Sequence, residues 1–331
     1  MATITKTIKP SGGDYTSLAA WEAGRQADLV TAGNIEVAEC YAMEDTTAVT
    51  IDGWTTNATN YIEIKGADSD KTSTNTGKWS TERYRLVVTG GVGLITSEEC
   101  TRVHDLQVSA INAEATIGTY AIYNSTSRLY FYNNVLKGLT DNSRLGAALF
   151  MYQTGDDGAL VHIYNNIILN CSGTSSYGIW TDVNRNIPHY IYNNTFVNCT
   201  IGMYEAGVVF YVKNNLFYNC GVDTSSIGTA SNCGYNATTN SGLGYTAQTG
   251  DRVSQTFTFV NAGAGDYHLA SNDAGAKDYG TSDPGSGMFS DDIDGETRSG
   301  SWDIGADEYV SSGGGSTPIP VFMTQYRQRS M

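Results

Sequence analysis

The residues with the most chemistry in them gather in the second half of the chain. Asp182 follows the run Tyr177-Gly178-Ile179-Trp180, and Glu205 follows the matching run Ile201-Gly202-Met203-Tyr204. Two carboxyl groups held ~5 to 5.5 Å apart hydrolyse a glycosidic bond with retention, and ~6.5 to 9.5 Å apart with inversion. If the two runs are strands of neighbouring coils, Asp182 and Glu205 are expected to lie within that range. Asp156 and Asp157, in the loop before Val161, are further candidates for acid and base. Loop aspartates also simply form turns. Trp180 and Tyr204 precede the two carboxylates, and Tyr164, Tyr190, Tyr192 and Tyr211 lie on the neighbouring segments. Their π-faces suit the C–H faces of neutral sugars, although tyrosine is also a good strand residue and such rings stack on one another. A polysaccharide lyase needs a base near a uronate and a cation against its carboxylate. His162, Tyr164, Lys213 and Arg185 are the candidates for those roles, with Arg185 and His189 beside the insertion from Thr181 to Pro188. The chain has no dense basic cluster to go with them.

Metal chemistry has less support. The four histidines show no i, i+4 pairing and the cysteines no C-x-x-C spacing. Asp291-Asp292-Ile293-Asp294-Gly295-Glu296 has oxygen ligands at the density of a calcium loop but not the EF-hand spacing. A solvated acidic turn is the first expectation there and calcium the second; no other cofactor is expected.

What positions these residues is a repeat. The run Val161 to Cys171 superimposes on His189 to Cys199 and on Phe210 to Cys220; Leu129 to Leu139 is a weaker copy and Val103 to Val108 a fifth. With the second Asn of each copy as marker, positions 105, 134, 166, 194 and 215 are 29, 32, 28 and 21 residues apart. Constant strand cores with variable connections indicate a coiled β-solenoid rather than a helical repeat. Alternation points Phe131, Ile163, Ile191 and Val212 inward, and Tyr132, Tyr164, Tyr192, Lys213, Tyr130, His162, Tyr190 and Tyr211 outward. Asn134, Asn166, Asn194 and Asn215 are expected to stack at a bend, amide on amide, with Cys171, Cys199 and Cys220 as a second column. A second strand per coil is expected over Tyr120–Tyr123, Ala148–Phe150, Tyr177–Trp180 and Ile201–Tyr204, with Ile122, Ile179 and Met203 inside.

Together with Gly13-Asp14-Tyr15-Thr16-Ser17-Leu18-Ala19-Ala20-Trp21-Glu22, Ile35-Glu36-Val37-Ala38-Glu39-Cys40-Tyr41 and the ending Trp302-Asp303-Ile304-Gly305-Ala306-Asp307-Glu308-Tyr309, these features resemble the pectate-lyase-like family. Within it the chain is similar to the β-helix proteins of phages and environmental bacteria. The resemblance spans about residues 13 to 309. It implies an all-β fold, a right-handed parallel β-helix solenoid with a short N-terminal capping helix. For activity it implies only a range: lyases, hydrolases, epimerases and inert virion fibres share the fold. The expectation is a virion-associated protein that recognises a polysaccharide, with its cleavage as a glycan depolymerase, hydrolase or lyase, left open; the alternative is an inert structural fibre or decoration protein. A homotrimer is implied by resemblance alone.

Composition narrows the partners. A net charge of −15 argues against nucleic acid, whose binding rests on neutralising phosphates. It argues less strongly against anionic polysaccharides, since a local basic groove would escape the objection. No run approaches a membrane span, and Met1 to Gly13 lacks the apolar centre of a signal peptide, so release by lysis or carriage on a virion is expected. The six cysteines are expected to be buried free thiols.

Along the chain, residues 1–30 are expected to form an N-terminal cap with a helix from about Thr16 to Ala23, and 31–261 the coils. Residues 262–310 form an acidic closing segment: from 262 to 309 there are eleven acidic and two basic residues. Residues 311–331 read as a Gly-rich linker followed by an apolar, basic tail from Ile319 to Arg329, either a docking element for a partner or an unstructured end.

Overall fold

A computed structural model describes residues 1–111, 115–119, 127–138, 145–153, 158–173, 175–183, 187–206, 209–227 and 230–311. Within them the chain winds as a parallel β-helix. Nine strands from Ala2–Ile8 to Cys233–Gly234 form a first sheet, and eight from Glu44–Asp45 to Ala237–Thr238 a second. Seven from Val49–Ile51 to Val222–Ser225 form a third. Each coil visits the three in that order, and every strand pairs in parallel with its counterpart one coil away. Among the described residues no helix is long and apolar enough to cross a membrane.

The inward column is as the alternation predicts. Phe131, Ile163, Ile191 and Val212 are in register and at most 1% exposed, and Cys233 continues the column. Coils turn from the first to the second sheet at the paired asparagines, where the two members divide the work. The first, at Asn133, Asn165, Asn193 and Asn214, takes the left-handed backbone conformation, with φ between 52° and 58°. The second forms the ladder: Nδ2 of Asn134 donates to Oδ1 of Asn166 at 3.0 Å, Asn166 to Asn194 at 2.9 Å, Asn194 to Asn215 at 3.0 Å and Asn215 to Asn236 at 3.1 Å. Each of those oxygens also accepts a backbone N–H from the previous coil, so buried amides are satisfied by repetition. At the next corner Asn170, Asn198 and Asn219 are left-handed, and Cys171, Cys199 and Cys220 follow inside as buried free thiols.

Several boundaries differ from the sequence reading. Asp105 has φ 58° and follows His104, which pairs with Tyr132, so it is the counterpart of the first Asn and not the second. An aspartate takes the same left-handed bend, which hides the one-residue offset. The third-sheet strand of that coil is Ala115–Thr119, with Ile117 in register with Leu149 and through it with Ile179, where Ile122 was expected. Tyr120 to Tyr123 lie outside the described residues. The first sheet begins at Ala2–Ile8, paired with Asn34–Cys40, ahead of the capping helix. That helix runs Leu18–Arg25, capped by the Ser17 hydroxyl, and a short turn Leu29–Ala32 follows. The helix runs two residues past the expected Ala23, through Gly24, where a Cβ would come 3.0 Å from the Tyr15 ring. Leu18, Trp21 and Leu29 are buried over the open end of the core.

After the last coil the chain forms an antiparallel pair, Phe259–Asn261 with Asp266–Leu269, and then runs back over the first and second sheets. The left-handed asparagines hold it there. Asn165 Nδ2 donates to the Asp291 carbonyl (2.8 Å) and Asn193 Nδ2 to that of Asp303 (3.0 Å). Asn214 exchanges two hydrogen bonds with Thr281. The segment is acidic because carboxylates replace a ladder: Asp273 accepts from four backbone N–H groups, and Asp292 from three. Residues 312–331, with the expected linker and tail, lie outside the described residues.

Candidate functional site

Two aromatic arrays stand on the outside of the solenoid. On the first sheet the rings stack face to face in two columns. Tyr130, His162, Tyr190 and Tyr211 are spaced 4.7, 5.0 and 4.8 Å between centroids with planes within 19° of parallel. His104, Tyr132 and Tyr164 follow at 4.4 and 4.9 Å. Strand spacing sets this distance, so parallel in-register strands convert a repeated tyrosine into a stack. These rings do point outward, but outward is not exposed. Phe289 of the C-terminal segment continues the Tyr164 stack at 4.5 Å, and Trp302 packs on Phe289. Tyr164 and Tyr192 are therefore buried, as is His162. Their expected availability to a sugar is corrected by a cover that strand alternation does not reveal. Tyr190, Tyr211 and Lys213 stay half-buried, and Tyr190 opens on a cleft of about 310 Å³ beside Pro284 and Met288.

Burial tunes this face against proton chemistry. It pushes His162 down to about 4 and the Tyr164 and Tyr192 hydroxyls well above the usual phenol range. His189, 0% exposed, is likewise held near 4 by burial while its Nδ1 bonds the Ile187 carbonyl.

The third-sheet array is built differently. Phe150, Trp180 and Tyr204 are in register, but Trp180 is tilted 51° from Phe150, and Tyr177 is tilted 35° from Trp180 and 53° from Tyr204. Small residues lie beneath the array: a Cβ at Gly178 would strike the core ring of Phe196, and one at Gly202 that of Phe217. The strand thus turns small positions inward and leaves Tyr177 on the same side as Trp180. Trp180 and Tyr204 are half-buried, Tyr152 is 45% exposed and Asp182 is exposed. Among the described residues, the apolar contacts of the C-terminal segment fall on the first and second sheets.

Register places Asp182 beside Tyr152 and Ala206, and Glu205 beside Thr181. The two acidic positions are one residue out of step along the strand. Asp156, Asp157 and Arg185 lie outside the described residues, as does the side chain of Glu205.

Three groups escaped the sequence reading. Asp223 lines a cleft of about 370 Å³ with Asn240 and is pushed up to about 7 by burial. Arg102 stands in register with Tyr130, two residues before His104; starting the fifth repeat at Arg102 rather than Val103 would have found it. His268, Asp294 and Asp307 bring ligand atoms within 4.8 Å of one another. Gly77 packs against this ring, with no room for a Cβ beside His268 Nε2. His268 is the countercharge of this cluster, raised to about 11 by Asp266, which bonds its Nδ1, and by the Asp294 carboxylate 3.0 Å from its Nε2. In the Asp291–Glu296 turn, the Asp292 carboxylate is committed to backbone N–H groups.

No protein-family model matches the chain, and no curated protein matches it in sequence.

Proposed function

We propose that this protein recognises a polysaccharide across the outer face of the third sheet, with Trp180 and Tyr204 as platforms for sugar rings. The observation that carries the reading is tilt. A ring stacked between two others offers only its rim, whereas Trp180 and Tyr204, tilted and half-buried, leave π-surface toward solvent. Asp182 and Tyr152 add polar groups at the same edge. Binding is favoured over cleavage because Asp182 and Glu205 are out of register. The sequence resemblance supports membership of the pectate-lyase-like β-helix proteins, carriage on a virion and assembly as a homotrimer.

Titration with a panel of neutral oligosaccharides tests the reading. Trp180→Ala is expected to weaken binding about tenfold, equivalent to ~1.4 kcal/mol, and Tyr204→Ala to do the same. A ligand held equally well by both variants rejects this face. A reducing-end assay on the same panel separates recognition from depolymerisation. The second reading, an inert structural fibre, is favoured by the rings of the first sheet that are used in packing; it predicts that no oligosaccharide binds.

A further inference from the structure

We infer that His268, Asp294 and Asp307 form a site for one divalent transition-metal ion of the zinc class, which ties three stretches of the C-terminal segment together. The site goes beyond the polysaccharide reading and shares no residue with it. His268 lies on the strand Asp266–Leu269, Asp294 in the turn after Asp292, and Asp307 in the last stretch before Tyr309. One ligand atom from each comes within 4.8 Å of the other two. His268 Nδ1 donates to the Asp266 carboxylate, which can only accept, so the ring is held with Nε2 toward Asp294. A carboxylate behind one ring nitrogen is how a metal-binding imidazole is oriented, and it raises the basicity of the other nitrogen. Lys78 Nζ donates to Asp266 at 3.3 Å and fixes it in turn.

The geometry at Nε2 favours an ion over a simple salt bridge. His268 Nε2 and an Asp294 oxygen lie 3.0 Å apart, yet no hydrogen bond joins them; Nε2 and Asp294 Oδ1 are both closed to solvent and without a hydrogen-bond partner. Such orphaned buried atoms are rare and costly. Bonds of about 2.0 to 2.2 Å from one ion put neighbouring N and O ligands roughly 3 Å apart without aiming one at the other. Gly77 keeps the space beside the nitrogen: its φ is 61°, and a Cβ there would lie 2.3 Å from Nε2. Asp307 is 6% exposed, and one of its oxygens accepts the Leu269 N–H. Asp266, Asp294 and Asp307 thus surround one imidazole, and the field that holds a proton on His268 acts twice as strongly on a doubly charged ion. Imidazole with carboxylate oxygens suits zinc, whereas calcium takes about six to eight oxygens. The side chains of His268 and Asp294 are 13% and 15% exposed, which gives the ion a way in.

The test is calorimetric titration of the chelator-treated full-length protein with zinc chloride and, separately, with calcium chloride. One zinc ion per chain is expected to bind with a Kd below about 10 µM, at least ~100-fold more tightly than calcium. His268→Gln and Asp294→Asn are each expected to weaken zinc at least ~10-fold. Asp294 lies at the rim, so Asp294→Asn carries the test if His268→Gln does not fold. Zinc at 100 times its Kd is expected to slow proteolysis of the C-terminal segment by up to ~100-fold, as binding to the closed form alone requires. No zinc uptake by the wild-type protein overturns the site, and so does uptake unchanged in folded Asp294→Asn. Calcium bound as tightly as zinc overturns the class of ion. Zinc bound at full strength with unaltered proteolysis overturns its part in tying the segment together.

Discussion

The first and third sheets carry the same kind of sequence, strands with aromatic residues at outward positions, and end in different physical states. On the first sheet Tyr132, Tyr164 and Phe289 form one stack that crosses from solenoid to C-terminal segment, and Trp302 closes over it. On the third sheet the small residues Gly178 and Gly202 sit against the core rings of Phe196 and Phe217, the outward rings tilt, and Trp180 stays half-buried. Outward rings therefore act as a docking surface where they stack face to face and the chain has a segment to lay on them. Where they tilt, and no described segment lies on them, they remain separate rings with surface to offer.

The largest break in this comparison comes from Arg298, whose side chain is 0% exposed and bonds the Asn165 side chain, the carbonyls of Gly305 and Ala306 and the Glu308 carboxylate. Arg298→Met leaves Glu308 buried without its cation and is expected to cost about 3 to 5 kcal/mol, read as a lower melting temperature and early proteolysis of the C-terminal segment. Unaltered resistance to proteolysis would mean the cover is held by other contacts. Phe289→Ala is the next largest, about 3 kcal/mol for an emptied ring position. It is expected to raise the fluorescence quenching of tyrosine on the first sheet and leave glycan binding by the third sheet intact.

A pH experiment sharpens the contrast. His162 titrates near 4 in the folded protein and near 6.5 when unfolded, so its contribution is present above about 6.5 and is lost as pH falls toward 4. His162→Tyr, which matches its column neighbours Tyr130 and Tyr190, is expected to remove roughly 2 kcal/mol of acid sensitivity between pH 6.5 and 5. His189 retains its own share, so the melting temperature of the variant should still fall with acid, less steeply. An identical slope in both proteins would show that His162 stays uncharged on unfolding or is accessible when folded. The smallest effect on stability belongs to Trp180→Ala, expected to shift melting by under about 1 kcal/mol for a half-buried side chain. A large drop in melting temperature with unchanged glycan retention would make the third sheet an assembly face, and the two sheets alike after all.

Period-two alternation was enough to assign Phe131, Ile163, Ile191 and Val212 to the core, because strand geometry alone decides which side a residue takes. The asparagine ladder was equally legible, since identical amides at a shared bend have only each other to bond. Other features were hidden by chemistry that sequence similarity does not distinguish. Asp105 substitutes for an asparagine at a left-handed bend and shifted one repeat by a residue. Tyr120 to Tyr123 resemble Tyr177 to Trp180, yet the strand that pairs is Ala115–Thr119. The one-residue offset between Asp182 and Glu205 was itself legible, since Asp182 is the second residue past Trp180 and Glu205 the first past Tyr204, and the pairing keeps that register.

The repeat by itself determined the solenoid, its inward columns and its corner asparagines, because each depends on local geometry copied from coil to coil. Only the tertiary structure decided which outward faces meet water. That choice depends on the path of residues 266–309, which repeat nothing and carry no period. It is set by long-range contacts such as Asn165 with Asp291 and Tyr164 with Phe289, more than 120 residues apart in sequence.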